Sequence, residues 1–205
     1  MPEKVFLVDD DAGIRRVLAL LAETIGLESE SYSRPSHFLE NFSHTGAGCV
    51  VADVIMPEMT GIQMLTAARA RDINLPFIIL TGHADVEVAV TAFRTGAFDF
   101  LEKPFSDTTY LAMIQQAINH SRRDLETAEE CRAIARRAAI LTKREREVVS
   151  EIVRGDSNKE IARKLGLSHR TVERHRQNAI KKLGVRSAGE LGALLPSQHH
   201  AAAMF

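Results

Sequence analysis

Cysteine is almost missing from this sequence: Cys49 and Cys131 are the only two among 205 residues. They stand far apart, at no spacing used by zinc or dithiol sites. A disulfide framework, a structural zinc and thiol redox chemistry are therefore set aside, and both thiols are expected to pack. Long apolar runs are missing too, and none reaches the ~20 residues that a membrane helix needs. A signal-peptide core is not expected either, because Met1–Lys4 leads into a short apolar run that ends in acids. The expected location is cytoplasmic. Aromatics are scarce at 5%, but 45% hydrophobic and 26% charged residues are ordinary for a folded chain. At this length one large domain or two small ones could each bury a core. Overall charge is nearly balanced at −1, and the balance hides an asymmetry. Residues 141–205 hold 13 Lys and Arg against 7 Asp and Glu, a net of +6, whereas residues 1–140 hold 13 against 20, a net of −7. The basic part is a candidate for meeting a phosphate backbone.

The first 120 residues alternate strand and helix patterns. Strands are expected at Lys4–Val8, Leu27–Tyr32 (weaker and edge-like), Gly48–Ala52, Pro76–Leu80 and Phe98–Leu101. Helices are expected at Ala12–Ile25, Ser36–Phe42, Gly61–Arg71, Val86–Arg94 and Asp107–His120. Five βα repeats imply an α/β doubly wound, five-stranded parallel sheet of flavodoxin-like type, with helices on both faces. Such sheets bind ligands at the carboxyl ends of their strands. Just past those ends lie Asp9, Asp10 and Asp11, then Asp53, then Thr81, then Lys103. Carboxylates from two strands, one hydroxyl and one ammonium would converge there. Clustered carboxylates favour a hard divalent cation with oxygen ligands, Mg²⁺ above all. A carboxylate beside Mg²⁺ and Lys can attack a phosphoryl group, because both cations neutralise charge on its oxygens. The bland alternative makes Asp9–Asp11 a helix cap and Lys103 a surface ion pair.

The stretches LVDDD, DVIMPEMTG, LTGHAD and GAFDFLEKPF resemble the receiver domain of two-component response regulators, especially its FixJ branch. The resemblance spans about residues 3–121. It implies Asp53 as phosphoacceptor and Mg²⁺ held by Asp9, Asp10, Asp53 and the Ile55 backbone carbonyl. It further implies Thr81 as the hydroxyl that follows the phosphoryl group, Lys103 as its counter-charge and Phe100 as the aromatic switch. A cis Lys103–Pro104 bond, a sensor histidine kinase as partner, and a dimer through Val90 and Arg94 on activation complete the expectation. Ile55 and His83, two residues past Asp53 and Thr81, should flank the path of water to a phosphoaspartate. An apolar Ile there cannot orient water, which argues for slow self-hydrolysis.

Between residues 120 and 140 proline and glycine are absent, while an apolar stripe runs through Leu125, Ala128, Cys131, Ile134 and Ala138. This linker, taken as residues 122–140, is expected to extend the last helix or to form a separate one.

The last 65 residues carry sharp helix punctuation. Thr142-x-x-Glu145, Ser157-x-x-Glu160 and Ser187-x-x-Glu190 have the form of capping boxes, and Ser168 can cap a fourth helix. Gly155, Gly166, Gly184 and Pro196 stand where the helices must stop. Gly166-Leu167-Ser168 is the short turn of a helix-turn-helix, so an all-α four-helix domain is expected over residues 141–197. Its third helix places Val172, His175, Ala179 and Leu183 on one face, with Ile180 at the margin. Arg170, Arg174, Gln177 and Lys181 lie opposite, flanked by Thr171 and Glu173. Arg, Gln and Glu suit base edges in the major groove, while His169, Arg176, Lys182 and Arg186 suit phosphates. The run from LTKREREVV to KKLGVRS resembles the LuxR-type output domain, with Ser168–Leu183 as recognition helix and Glu173, Arg174 and Gln177 at base-reading positions. Arg174 departs from the small apolar residue often found there.

The leading expectation is a phosphorylation-controlled transcription regulator that binds promoter DNA at two half-sites as a homodimer. Its only chemistry would be stoichiometric phosphotransfer to itself and slow loss of phosphate. A phosphoaspartyl hydrolase and a receiver that only docks proteins are the alternatives.

Overall fold

The computed structural model describes residues 2–82, 86–187 and 189–190, with side chains from residue 90 onward in the helix that begins at Val86. The chain divides into two compact units, Met1–Leu125 and Glu126–Phe205.

In the first unit β1 (Lys4–Val8), β2 (Glu28–Tyr32), β3 (Gly48–Asp53), β4 (Phe77–Thr81) and β5 (Asp99–Glu102) alternate with α1 (Ala12–Thr24), α2 (Pro35–Asn41), α3 (Gly61–Arg69), α4 (Val86–Thr95) and α5 (Asp107–Ala138). All strands pair in parallel, in the order β2-β1-β3-β4-β5. The order reverses between β1 and β3, which makes their carboxyl ends the binding edge. β1, β3 and β4 read as apolar runs because both faces are covered. Phe6, Val8, Val50, Ala52, Phe77 and Ile79 pack on Phe38 and Leu39 of α2, Met64, Leu65 and Ala68 of α3, and Ala92 of α4. The alternate residues Val5, Leu7, Cys49, Val51, Ile78 and Leu80 pack on Leu18 and Ala22 of α1 and on Tyr110, Ile114, Ala117 and Ile118 of α5. Cys49 is fully buried, and burial pushes its thiol well above the ordinary value. β2 (ESESY) is indeed an edge strand, with mostly exposed side chains, and β5 is the other.

Helix ends follow local chemistry. Asp11 caps α1 by accepting from the Gly13 and Ile14 N–H groups. Pro35 opens α2, one residue earlier than the pattern suggests. Thr60 and Gln63 form a full capping box on α3, a motif that the sequence reading passes over. α5 does not stop at His120; it runs unbroken through the expected linker to Ala138.

In the second unit Ile134 and Ala138 from the end of α5 enter a core with Leu141, Val149, Ala179, Leu183 and Val185. A second cluster joins Val148, Ile152, Ile161 and Val172. The helices are α6 (Lys143–Val153), α7 (Asn158–Leu165) and α8 (His169–Leu183). Thr142–Glu145 and Ser157–Glu160 are complete capping boxes, and Ser168 caps α8 through the Thr171 N–H. Gly155, Gly166 and Gly184 lie where α6, α7 and α8 end. At the third expected box Ser187 Oγ accepts the Glu190 N–H, but the Glu190 carboxylate takes the Arg186 N–H rather than that of Ser187. The body of that fourth helix, Pro196 and the tail lie outside the described residues.

Candidate functional site

The carboxyl ends of β1, β3, β4 and β5 bring Asp9, Asp53, Thr81 and Lys103 to one edge. Asp9 is only 3% exposed. Its Oδ1 accepts the Asp11 N–H at 2.8 Å, and its Oδ2 accepts from Lys103 Nζ at 3.1 Å. The same ammonium donates to Asp53 Oδ1 at 2.5 Å, while Asp53 Oδ2 accepts the Ile55 N–H at 2.8 Å. The Lys103 N–H donates to the Thr81 carbonyl at 2.7 Å, which places its backbone beside β4; the Lys103–Pro104 bond is cis. Thr81 is buried and Asp10 is exposed. Gly61 opens α3 directly against β3: a Cβ there would overlap the Asp53 carbonyl oxygen.

The charges are mutually adjusted. Burial raises the Asp9 carboxyl above its ordinary value, although the Asp11 N–H and Lys103 oppose this and the Asp53 charge adds to it. Burial pulls Lys103 down, but its hydrogen bonds to Asp53 and Asp9 win and hold it above the usual lysine value. An ammonium pinned between two carboxylates stays charged and faces whatever negative group arrives.

Among the described residues no three Asp, Glu, His or Cys side chains form a ready-made metal cluster. The donor chemistry nonetheless fits a hard cation. Asp9 and Asp53 supply carboxylates within reach of one ammonium, and Asp10 has no partner among the described residues.

Phe100 on β5 is half-buried and meets Phe93 of α4 edge to face, centroids 5.6 Å apart. Phe93 is 48% exposed beside the exposed Val90 and Arg94. Phe93 was not among the expected residues, although its place three residues past Val90 puts it on the same helix face. Arg15, also not foreseen, donates to the Asp9 carbonyl at 2.5 Å. Ile55 is 75% exposed. His83 lies outside the described residues.

On α8 Val172, Ala179 and Leu183 are buried, and Arg170, Glu173, Arg174, Gln177 and Lys181 are exposed. His169 and Arg186 are exposed as well. Three residues with expected DNA contacts are engaged inside the unit. The Thr171 hydroxyl meets Ser168 Oγ at 2.8 Å, Arg176 Nη1 donates to Asn158 Oδ1 at 2.8 Å, and Lys182 Nζ donates to Glu145 Oε2 at 2.7 Å. Of the base-reading candidates, Glu173 lies 3.7 Å from the His169 ring within α8, whereas two of the phosphate candidates, Arg176 and Lys182, are held by neighbouring helices.

The family profile described as response regulator receiver domain matches residues 5–115, and that of the bacterial regulatory proteins of the luxR family matches residues 139–194. This chain belongs to the response regulators with a luxR-family output domain. It is 39% identical over 187 residues to the transcriptional regulatory protein FixJ of Bradyrhizobium diazoefficiens, covering 91% of each chain. It is 38% identical over 192 residues to the C4-dicarboxylate transport transcriptional regulatory protein DctR of Rhodobacter capsulatus, covering 93% of this chain and 98% of that one. The solved structure of the response regulator StyR superposes with a TM-score of 0.70 at 35% identity, covering 96% of this chain and 99% of that one. The response regulator is thus a phosphorylation-controlled transcription regulator with a receiver and a DNA-binding domain. Among its described residues no helix is long and apolar enough to cross a membrane.

Proposed function

We propose that this response regulator works in the cytoplasm by taking a phosphoryl group from a sensor histidine kinase onto Asp53. The observation that carries the reading is the Lys103 ammonium, shared between Asp53 Oδ1 at 2.5 Å and Asp9 Oδ2 at 3.1 Å. A P–O bond forms from an Asp53 carboxylate oxygen as the donor's P–N bond breaks; the P–N electron pair stays on the histidine nitrogen, and the ring, protonated on its other nitrogen, leaves as neutral imidazole. Asp9, Asp10, Asp53 and the Ile55 carbonyl would hold Mg²⁺, which when bound neutralises charge on the phosphoryl oxygens. Lys103 supplies the second positive charge, and the Ile55 N–H supports Asp53 from behind. The reaction is stoichiometric, and the exposed Ile55 side chain has no group to orient water, so the phosphoaspartate persists.

Thr81 reports the added phosphoryl group by hydrogen bonding to it, and Phe100 turns inward in response. The partly exposed Phe93 follows Phe100, and Val90 and Arg94 beside it complete a self-complementary dimer face. Two output domains then meet two promoter half-sites through Ser168–Leu183. Intact-mass analysis after acetyl phosphate and Mg²⁺ tests the acceptor. Wild type should gain one phosphoryl group and Asp53→Asn none; undiminished incorporation in the variant would refute it.

A further inference from the structure

A helix leaves its last carbonyls without intrahelical partners. At the end of α8, Gly184 turns into the left-handed region at φ 70°, and its N–H returns to the Ile180 and Lys181 carbonyls. The Leu183 carbonyl is served differently. Arg137 Nη1, from the last turn of α5, donates to it at 3.0 Å. Leu183 itself is fully buried. The guanidinium lies so close over Gly184 that a Cβ on that residue would overlap it. Position 184 therefore favours glycine for its backbone angle, and a Cβ there would push the arginine tip aside. Ile134 and Ala138, on either side of Arg137 along α5, are buried against Ala179 and Leu183 of α8. Arg137 itself is exposed; the burial of Ile134 and Ala138 holds its stretch of α5 against α8, and its charge faces the negative end of that helix.

We propose that Arg137 is a positioning residue for DNA recognition: its guanidinium closes the C-terminal end of α8 and so fixes where Gln177 and Lys181 stand. Both side chains lie in the last two turns of α8 and are exposed. Hydrogen bonds to base edges tolerate little displacement, whereas ion pairs with phosphates tolerate more. Loosening this helix end should therefore cost discrimination before it costs general affinity. The inference rests on α8 being the DNA-reading helix.

The test uses the full chain and a duplex that the wild type selects from a random-sequence pool, with a scrambled duplex alongside. Arg137→Met keeps most of the stem and removes the donor; Arg137→Lys restores a cation. For Arg137→Met the expected result is about a tenfold loss on the selected duplex and about twofold or less on the scrambled one, the scale of one lost base contact. Amide hydrogen exchange at Lys181–Gly184 should quicken by about tenfold as the end frays. Arg137→Lys should recover part of both effects. Equal losses on the two duplexes, unchanged exchange, or wild-type discrimination in folded Arg137→Met would each overturn the proposal. Arg174→Ala, measured in parallel, separates this failure from that of the parent reading. If neither variant changes selection, α8 is not the reading helix and the role of Arg137 falls with it.

Discussion

Lys182 Nζ lies 2.7 Å from Glu145 Oε2, so a cation on α8 is tied to the glutamate of the α6 capping box. Glu145 is almost fully buried, and its carboxylate also accepts the Thr142 N–H at 2.8 Å. Lys182 is then a brace between helices as well as a candidate for a phosphate. Lys182→Ala should lower the stability of the output domain by about 1–2 kcal/mol, a figure kept small because the lysine is partly exposed. A thermal melt should shift down, and DNA affinity measured below that melt should fall alike on all sequences. An unchanged melt would mean the pair contributes nothing.

The same pair makes stability depend on acid. Burial pushes the Glu145 carboxyl up, but Lys182 and Thr142 outweigh it and hold its pKa below the ordinary 4.5. A carboxyl depressed on folding contributes stability above its unfolded pKa and loses it as pH falls through the folded value. Wild type should therefore weaken progressively below about pH 4.5. Glu145→Gln should be less stable at neutral pH and flatter across that window, as read by denaturant titration at several pH values.

Gly61→Ala tests how tightly α3 is set against the acceptor strand. The added methyl must displace backbone at Asp53, at a cost of about 1–3 kcal/mol. Phosphorylation by acetyl phosphate should slow although Asp53, Asp9 and Lys103 are all present. A variant with wild-type rate and stability would show that the close approach has no bearing on the acceptor.

Dimer formation should depend on the exposed α4 face. With a phosphoryl mimic bound, wild type should sediment as a dimer at tens of micromolar, while Phe93→Ala and Arg94→Ala should stay largely monomeric. Dimers in both variants would place the interface elsewhere.

Base reading and phosphate contact separate by sequence dependence. Arg174→Ala should cost about 1–3 kcal/mol on the selected duplex and relax preference at one position. Half-sites about 10 base pairs apart, centre to centre, should bind best, because two-fold-related helices then meet one face of the duplex. Equal losses on selected and scrambled DNA would remove Arg174 from the base-reading set.

The parallel sheet and its site edge are legible in the sequence because the central strands are buried on both faces and read as unbroken apolar runs. Each run is followed by its chemical group, so Asp9, Asp53, Thr81 and Lys103 fall into place from position alone. The helix caps are legible for a similar reason, since a cap bonds three residues away. Pairings across elements are less so: periodicity gives the exposed face of α8 but not that Arg176 reaches Asn158 or that Arg137 reaches Leu183. The extent of α5 is ambiguous too. Its second half carries a thin stripe in which small Ala128 and Ala138 share the face with Cys131 and Ile134, and only Ile134 and Ala138 within a shared core say where it belongs.

The unbroken course of α5 bears on how such a chain could be cut or recombined. A break at residue 138 or 141 looks natural by eye, yet it strips Ile134 from the output core and Arg137 from the end of α8. A self-sufficient C-terminal fragment should start at or before Glu126. A chimera should therefore take residues 126–138 from the same parent as α8, so that Ile134, Ala138 and Arg137 stay with the core they complete.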